Sequence, residues 1–219
     1  MIQGPAGRLP VNPFATRFTR PGRLPPLDAT GAPLDATGIA RGLPRGRVVA
    51  VEGPHGHGKS TLLAAIAAAA SATGRPTGFV SIRNRRDAWR PVAAALSVGQ
   101  GACLGCDGWE RCPPGITTAV RCIARARRLS VVVTTHAAAG LPVLARCGTS
   151  PRLFAELVAR LPDHRGLIDA DDLDDAFARH SGNLREALYD LYDRFERRVR
   201  GDRDRSEEHT SELQSRFGI

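Results

Sequence analysis

The chain has 219 residues, enough for one α/β domain with a packed core and a smaller appendage, but too few for two large domains. Apolar residues make up 42%, much of it alanine, and aromatics only 5%, which favours a helix-rich α/β protein over a β-sandwich. The formal charge of +9 is concentrated in the first 150 residues, whereas the remainder is net acidic; this suits a nucleic-acid or polyphosphate partner, and equally one part of the protein docking on another.

In chain order, residues 1–45 are rich in Pro, Gly and Arg and carry a tandem repeat, Pro26–Ala32 followed by Pro33–Gly38, too short for a solenoid. An extended arm is expected there, with a short helix over Leu34–Leu43 and with Phe14 and Phe18 as apolar anchors onto the core. Arg47–Glu52 is a short apolar run ended by Gly53, the pattern of a buried parallel strand. Thr61–Ala72 follows as an Ala/Leu helix closed by Gly74 and Pro76.

Between them lies Gly53-Pro54-His55-Gly56-His57-Gly58-Lys59-Ser60, which fits the P-loop (Walker A) signature in its required strand–loop–helix context. Its glycines let the backbone turn tightly and aim N–H groups at phosphate oxygens, aided by the helix dipole. Lys59 is expected on the β- and γ-phosphates of ATP, the Ser60 hydroxyl on Mg²⁺ and Thr61 near the α-phosphate. Of the 31 basic residues, 30 are arginine and Lys59 is the single lysine. An Arg-dominated composition suggests a GC-rich genome. A compact ammonium that fits between phosphate oxygens cannot be replaced by a wide guanidinium, so the exception falls where the chemistry requires it. His55 and His57 occupy the variable positions of the loop and are expected to be loop surface rather than metal ligands.

A second strand over Thr77–Ile82 leads into Arg83-Asn84-Arg85-Arg86-Asp87 and a helix through Leu96. A third strand, Gly101–Cys106, ends in Asp107-Gly108-Trp109-Glu110. Asp107, an acid at the carboxyl end of a buried strand, is the expected Walker B residue holding Mg²⁺, and Glu110 the expected base or orienter of the attacking water. A helix over Ile116–Arg128 is expected to align Arg121, Arg125 and Arg128, followed by a strand over Leu129–Thr134 that carries polar Thr134, Thr135 and His136 at its end, expected to face the γ-phosphate, and a short strand near Val143–Cys147. Repeated β–α units imply a parallel sheet with helices on both faces and a ligand at the carboxyl ends of the strands. Ser150–Leu161, Ala170–His180 and Asn183–Val199 are three amphipathic helices with no strand between them, expected to form a helical lid.

Walker A, the acid-tipped strand with a nearby glutamate, the polar-tipped fourth strand and a lid carrying Gly182-Asn183-Leu184-Arg185-Glu186 together resemble the AAA+ and STAND-type ATPases. The resemblance covers residues 46–200 and implies a P-loop core over 46–149, a helical lid over 150–204, and ATP with Mg²⁺ as ligands. It identifies Arg185 with the sensor-2 arginine that contacts the γ-phosphate, and Thr135 or His136 with sensor 1. Arg146 and Arg152 are the candidates for a finger supplied in trans, and an oligomer is compatible with the family. Gly108 departs from the adjacent Asp-Glu of most AAA+ members, so the resemblance supports nucleotide binding more strongly than hydrolysis. It implies an ATP-driven conformational switch or motor. The alternatives are a nucleotide-gated nucleic-acid or protein-interaction module, resting on the basic arm and Arg83, Arg85 and Arg86, and a P-loop small-molecule kinase. The arginines after the second strand count against the kinase.

Two motifs are set aside. Leu96-Ser97-Val98-Gly99-Gln100 imitates a transporter signature, but too few residues separate it from Asp107 for a helix and a strand. Cys103 and Cys106 with Cys112 lack a second pair at zinc spacing, and five cysteines without an export signal fit reduced thiols. Without a signal-peptide pattern or a membrane-length apolar run, cytoplasm is the expected compartment. Residues Arg205–Ser215 resemble a translated sequencing adapter, so 205–219 is expected to be an artefact.

Overall fold

The computed structural model describes residues 11–138, 140–164 and 166–217, with side chains described as far as Gly201. Residues 1–10 of the arm and the side chains of the adapter-like segment lie outside this range. Five strands, β1 (Arg47–Glu52), β2 (Thr77–Ser81), β3 (Cys103–Asp107), β4 (Ser130–Thr135) and β5 (Val143–Arg146), form one parallel sheet in the order β2-β3-β4-β1-β5. The protein is therefore α/β, with a parallel sheet flanked by helices.

Right-handed crossovers explain which helix covers which face. The connection from β1 travels outward to the edge strand β2, and carries α3 (Lys59–Ala72) on one face. The later connections travel back, and carry α4 (Arg90–Ser97) and α5 (Pro114–Ala126) on the other. The pleat sorts side chains accordingly: Val49, Val51, Cys103 and Val132 pack with Leu62, Leu63 and Ile66 of α3, while Val48, Ala50, Cys106, Val131 and Val133 pack with Val120 and Ala124 of α5. Cys103 and Cys106, three residues apart, thus project to opposite faces and cannot share a metal ion. Gly105 is mid-strand because Leu63 packs there: a Cβ would lie 3.3 Å from its Cδ1 and 3.1 Å from the Phe79 ring.

Helix ends follow local chemistry. Ser150 caps α6 (Pro151–Val158) by accepting from the Leu153 N–H at 3.0 Å, with Pro151 at the first helical position. Asp169 and Asp172 make a reciprocal capping box on α7 (Ala170–Arg179). One expectation is corrected at α5, which ends at Ala126; Arg128 takes a left-handed φ of 55°, so it does not share a helical face with Arg121 and Arg125. The helix ends in a turn closed by the Leu129 N–H donating to the Ala124 carbonyl at 2.9 Å with Arg128 in the left-handed position, while the Arg127 guanidinium donates to the carbonyls of Leu96 and Val98 and ties α5 to the end of α4.

The tandem repeat folds two ways. In the first copy Asp28 accepts from the N–H groups of Thr30 and Ala32 at 2.8 and 3.0 Å and closes a turn, whereas Asp35 in the second copy accepts from the Gly38 N–H at 2.8 Å and caps α2 (Ala36–Arg41). Leu27 and Pro33 pair as an antiparallel bridge between the copies. Upstream, the single turn α1 (Thr16–Thr19) follows Phe14, which is 1% exposed and meets Phe195 edge-to-face with ring centroids 6.3 Å apart. Its burial contributes roughly 1.5–3 kcal/mol. Phe14 therefore anchors the arm on the C-terminal helices rather than on the sheet, while Ala40 and Leu43 dock on the α3 side. The arm bridges the two.

The last helix, α8 (Leu184–Phe217), packs on α7, and Leu184, Leu188, Leu191 and Phe195 enter the same apolar cluster as Phe154 and Val158 of α6. Among the described residues no helix is long and apolar enough to cross a membrane.

Candidate functional site

At the carboxyl ends of β1, β3 and β4 the chain opens a cleft of about 580 Å³. The reversal of chain direction between β1 and the returning strands makes this the crevice where open parallel sheets take ligands. The glycine-rich loop after β1 forms its floor, with Gly58 in a left-handed conformation at the start of α3. Gly56 has a positive φ of 73°, and a Cβ on it would lie 1.7 Å from Oδ1 of Asn183, so only glycine lets the residue preceding α8 press onto the loop.

Lys59 donates to the carbonyls of Gly53 and Pro54, both at 2.6 Å, holding its ammonium over the loop. Burial lowers its pKa, opposed by the nearby carboxylates of Glu110 and Asp107 and reinforced by Arg185. The Ser60 hydroxyl reaches Asp107, with Oδ1 at 2.9 Å and Oδ2 at 3.0 Å. These two residues, 47 positions apart, offer a hydroxyl and a carboxylate to one point, the oxygen donor set that hard divalent cations accept.

Thr134 completes the connection. Its hydroxyl donates to Asp107 Oδ1 at 2.6 Å and accepts from the Gly108 N–H at 2.9 Å, and the residue is 1% exposed. Thr135 lies on the other face of the pleat and donates instead to the Ala137 carbonyl at 2.8 Å, away from the cleft. Gly108 in turn has φ 89°, and a Cβ there would sit 2.5 Å from the Ile82 carbonyl oxygen. The Asp-Gly step that departs from an Asp-Glu pair is thus required by the approach of the loop after β2.

A 3₁₀ turn over Trp109–Arg111 carries Glu110 to the cleft. Its Oε1 accepts from Arg111 at 3.0 Å and lies 3.6 Å from His136 Nε2. His136 packs against His55 with ring centroids 3.9 Å apart and the ring planes inclined at 55°. Burial, then the neighbouring His136 and Lys59, lower the His55 pKa. His57 is shifted the same way by burial and by Lys59, and its Nδ1 is buried without a hydrogen-bond partner among the described residues. Arg185, exposed on the first turn of α8, lines the cleft opposite the sheet.

The structure therefore brings His55, Gly56, His57, Gly58, Lys59, Ser60, Thr61, Asp107, Glu110 and Arg185 around one cleft. Gly53 and Pro54 contribute through their carbonyls to Lys59 rather than as lining. Compared with protein-family models and with curated proteins, the chain matches none. The chemistry must therefore be argued from the site itself.

Sequence reasoning missed a second wall. Leu24, Pro25 and Leu27 of the arm line the same cleft together with Leu184, Leu188 and Tyr189 of α8, and Leu24 and Leu27 pack with Leu184 and Leu188 in one apolar cluster, so apolar as well as charged side chains border the cleft. Nothing local marks these positions, because the arm's leucines acquire their role only by spanning from α8 to α3. Of the polar residues expected at the tip of β4, Thr134 is the one that shares the α3 face with Gly105 and Asp107 of β3. Among the described residues no group of three or more His, Cys, Asp or Glu side chains converges as a metal cluster.

Proposed function

We propose that the chain is a P-loop protein of the AAA+-like type that binds ATP with Mg²⁺ and works as a conformational switch, hydrolysing ATP with Glu110. The observation that carries this is the hydrogen bonding of Ser60 to Asp107 at 2.9 and 3.0 Å, beside the single lysine of the chain and in a loop whose Gly56 sits against Asn183. In this proposal Ser60 and Asp107 hold the cation, and Thr134 keeps the Asp107 carboxylate aimed. Bound there, Mg²⁺ supplies charge neutralisation of the phosphates. Lys59 and Arg185 bring positive charge from the two sides of the cleft, and the apolar wall of Leu24, Leu27, Leu184 and Leu188 receives the base and ribose.

The mixed lining of the cleft supports this assignment, since a nucleotide offers both a base that apolar side chains can cover and a polyanionic end. Loss of the γ-phosphate removes the partner that Arg185 shares with Lys59, and Arg185 lies on the helix packed against the loop through Asn183. A change there is transmitted to α8 as a rigid element. Hydrolysis needs the Glu110 carboxylate to face an attacking water, whereas it is held by Arg111 with His136 close by. Turnover therefore depends on release of that contact.

The test is ATP binding by calorimetry on wild type and Lys59→Ala, followed by steady-state ATPase measurement. Loss of binding in the variant is expected; equal affinity in the two proteins refutes the site. Binding without turnover leaves the switch and removes the ATPase.

A further inference from the structure

The turn after β2 carries a combination found nowhere else among the described residues. Arg83, Arg85, Arg86 and Arg90 are all exposed, and in their midst Trp89 is 61% exposed, the most exposed of the large apolar side chains. Their display is built rather than loose. The Asn84 side chain accepts from the N–H groups of Arg86 and Asp87 at 2.9 and 3.2 Å and winds the segment into a 3₁₀ turn. Ala88 is 5% exposed and its carbonyl lies 3.9 Å from the Cys112 thiol, so the turn is held on its inner side while Trp89 faces outward. The one acid in the run, Asp87, is occupied by the Arg83 N–H at 3.2 Å and by Arg90 at 3.6 Å.

We propose that this turn is a docking site for single-stranded nucleic acid, with Trp89 stacking on a base and Arg85 and Arg86 contacting the flanking phosphates. An indole left in water exposes a large apolar area that a stacked base covers without any sequence requirement, and guanidinium groups on either side match the phosphates of the same strand. The exposed tyrosines of the chain provide the contrast. Tyr189 and Tyr192 lie on α8, where Glu186, Asp190 and Asp193 alternate with Arg185 and Arg194, so neither ring sits in an all-basic surround. A folded protein partner with an acidic surface would also answer the arginines, but it gives no reason for a lone outward tryptophan in the centre of the charge.

The turn is also joined to the nucleotide cleft. Arg83 lines the cleft, and Arg111, which holds Glu110 at 3.0 Å, donates to the Ile82 carbonyl at 3.4 Å immediately before the turn. A strand docked at Trp89 therefore acts on the residue that restrains Glu110. Docking stands independently of the ATP assignment; only this coupling rests on it.

The experiment is fluorescence anisotropy of a labelled oligo(dT) of about 20 nucleotides, a length comparable to known single-strand sites, measured without ATP over a series of salt concentrations. Trp89→Ala is expected to weaken binding roughly 5–150-fold, the equivalent of one lost stack, while Trp89→Phe retains most of it. Arg85→Ala/Arg86→Ala is expected to lower the slope of log K against log salt by about 1.4, or about 0.7 per phosphate contact. Equal binding by wild type and Trp89→Ala overturns the proposal, as does failure of Trp89→Phe to exceed Trp89→Ala, or absence of binding by the wild type. Displacement of the oligonucleotide by poly-glutamate with no effect of Trp89→Ala assigns the surface to an acidic protein instead. Because Trp89 is exposed, thermal melting of the variants is expected to match the wild type. The arginine pair provides a second measurement that does not touch the indole.

Discussion

Replacing Thr134 by valine keeps the shape of the residue and removes only its hydroxyl. That hydroxyl is buried at 1% exposure, accepts from the Gly108 N–H at 2.9 Å and donates to Asp107 at 2.6 Å. An unpaired buried N–H costs about 1–3 kcal/mol, and a hydrogen bond to a charged group contributes about 1.5–3 kcal/mol. Asp107 retains the Ser60 hydroxyl and is only half-buried, so the low end applies to it, and the expected loss is roughly 2–5 kcal/mol. For a chain of this length that lowers the melting temperature by roughly 5–15 °C. Thr134→Ser keeps both hydrogen bonds and sacrifices one methyl group, about 1 kcal/mol, so it serves as the reference. Circular-dichroism melting of the two variants gives the stability. A Mg²⁺ titration of ATP binding gives the function, where the valine variant is expected to need more Mg²⁺ than the serine variant because Asp107 is no longer aimed. Melting of Thr134→Val within about 1 °C of Thr134→Ser, where several degrees are expected, refutes the role given to the hydroxyl.

Two further outcomes are expected. Glu110→Gln binds ATP with unchanged affinity and hydrolyses it more slowly by a factor of about 10²–10⁴, the range of a general base; single-turnover assays at saturating ATP check this, and unchanged turnover removes Glu110 from the chemistry. Asp172 supplies a pH test of the C-terminal helices. Burial alone would raise its carboxyl, but hydrogen bonds from Arg198, the Asp169 N–H and Arg194 prevail and hold it at about 2. A carboxylate depressed in this way stabilises the fold at all pH values above its unfolded pKa of about 4, and that contribution, about 2 kcal/mol, is lost as pH falls from about 4 to 2. Asp172→Asn is therefore less stable than wild type near neutrality, with the difference narrowing over that window. Parallel urea midpoints for the two proteins at every pH refute the assignment.

The strands were readable because parallel, doubly covered strands are short apolar runs, and β1 falls at Arg47–Glu52 as the run does. The end of β3 was less clear: Gly101 and Gly105 dilute the pattern, and the strand begins only at Cys103, where pairing with Ser130 of β4 starts. Gly105 is tolerated because Leu63 fills the space above it, a contact between residues 42 positions apart that no local window contains. The end of α5 was misjudged for a related reason. Arginine carries no stop signal, yet Arg128 takes the left-handed position that usually falls to glycine and the Leu129 N–H closes the turn on the Ala124 carbonyl.

The candidate site divides along the same line. Composition singled out Lys59, and spacing singled out the glycine loop, Asp107 and Glu110, because each depends on residue type at a fixed offset from a strand end. The choice between Thr134 and Thr135 depended on which face of β4 meets α3, a question of pleat phase and crossover hand. The apolar wall depended on the arm inserting Phe14 among the C-terminal helices while Ala40 and Leu43 dock beside α3.

Sequence by itself determined the parallel α/β class, the glycine-rich loop and the lone lysine within it, since these rest on periodicity and on local backbone chemistry. Only the tertiary structure decided that Thr134 braces Asp107, that the arm walls the cleft, and that Trp89 faces solvent among arginines. Those facts arise from the packing of segments distant in the chain, where burial and close approach, rather than residue type, set what each side chain can do.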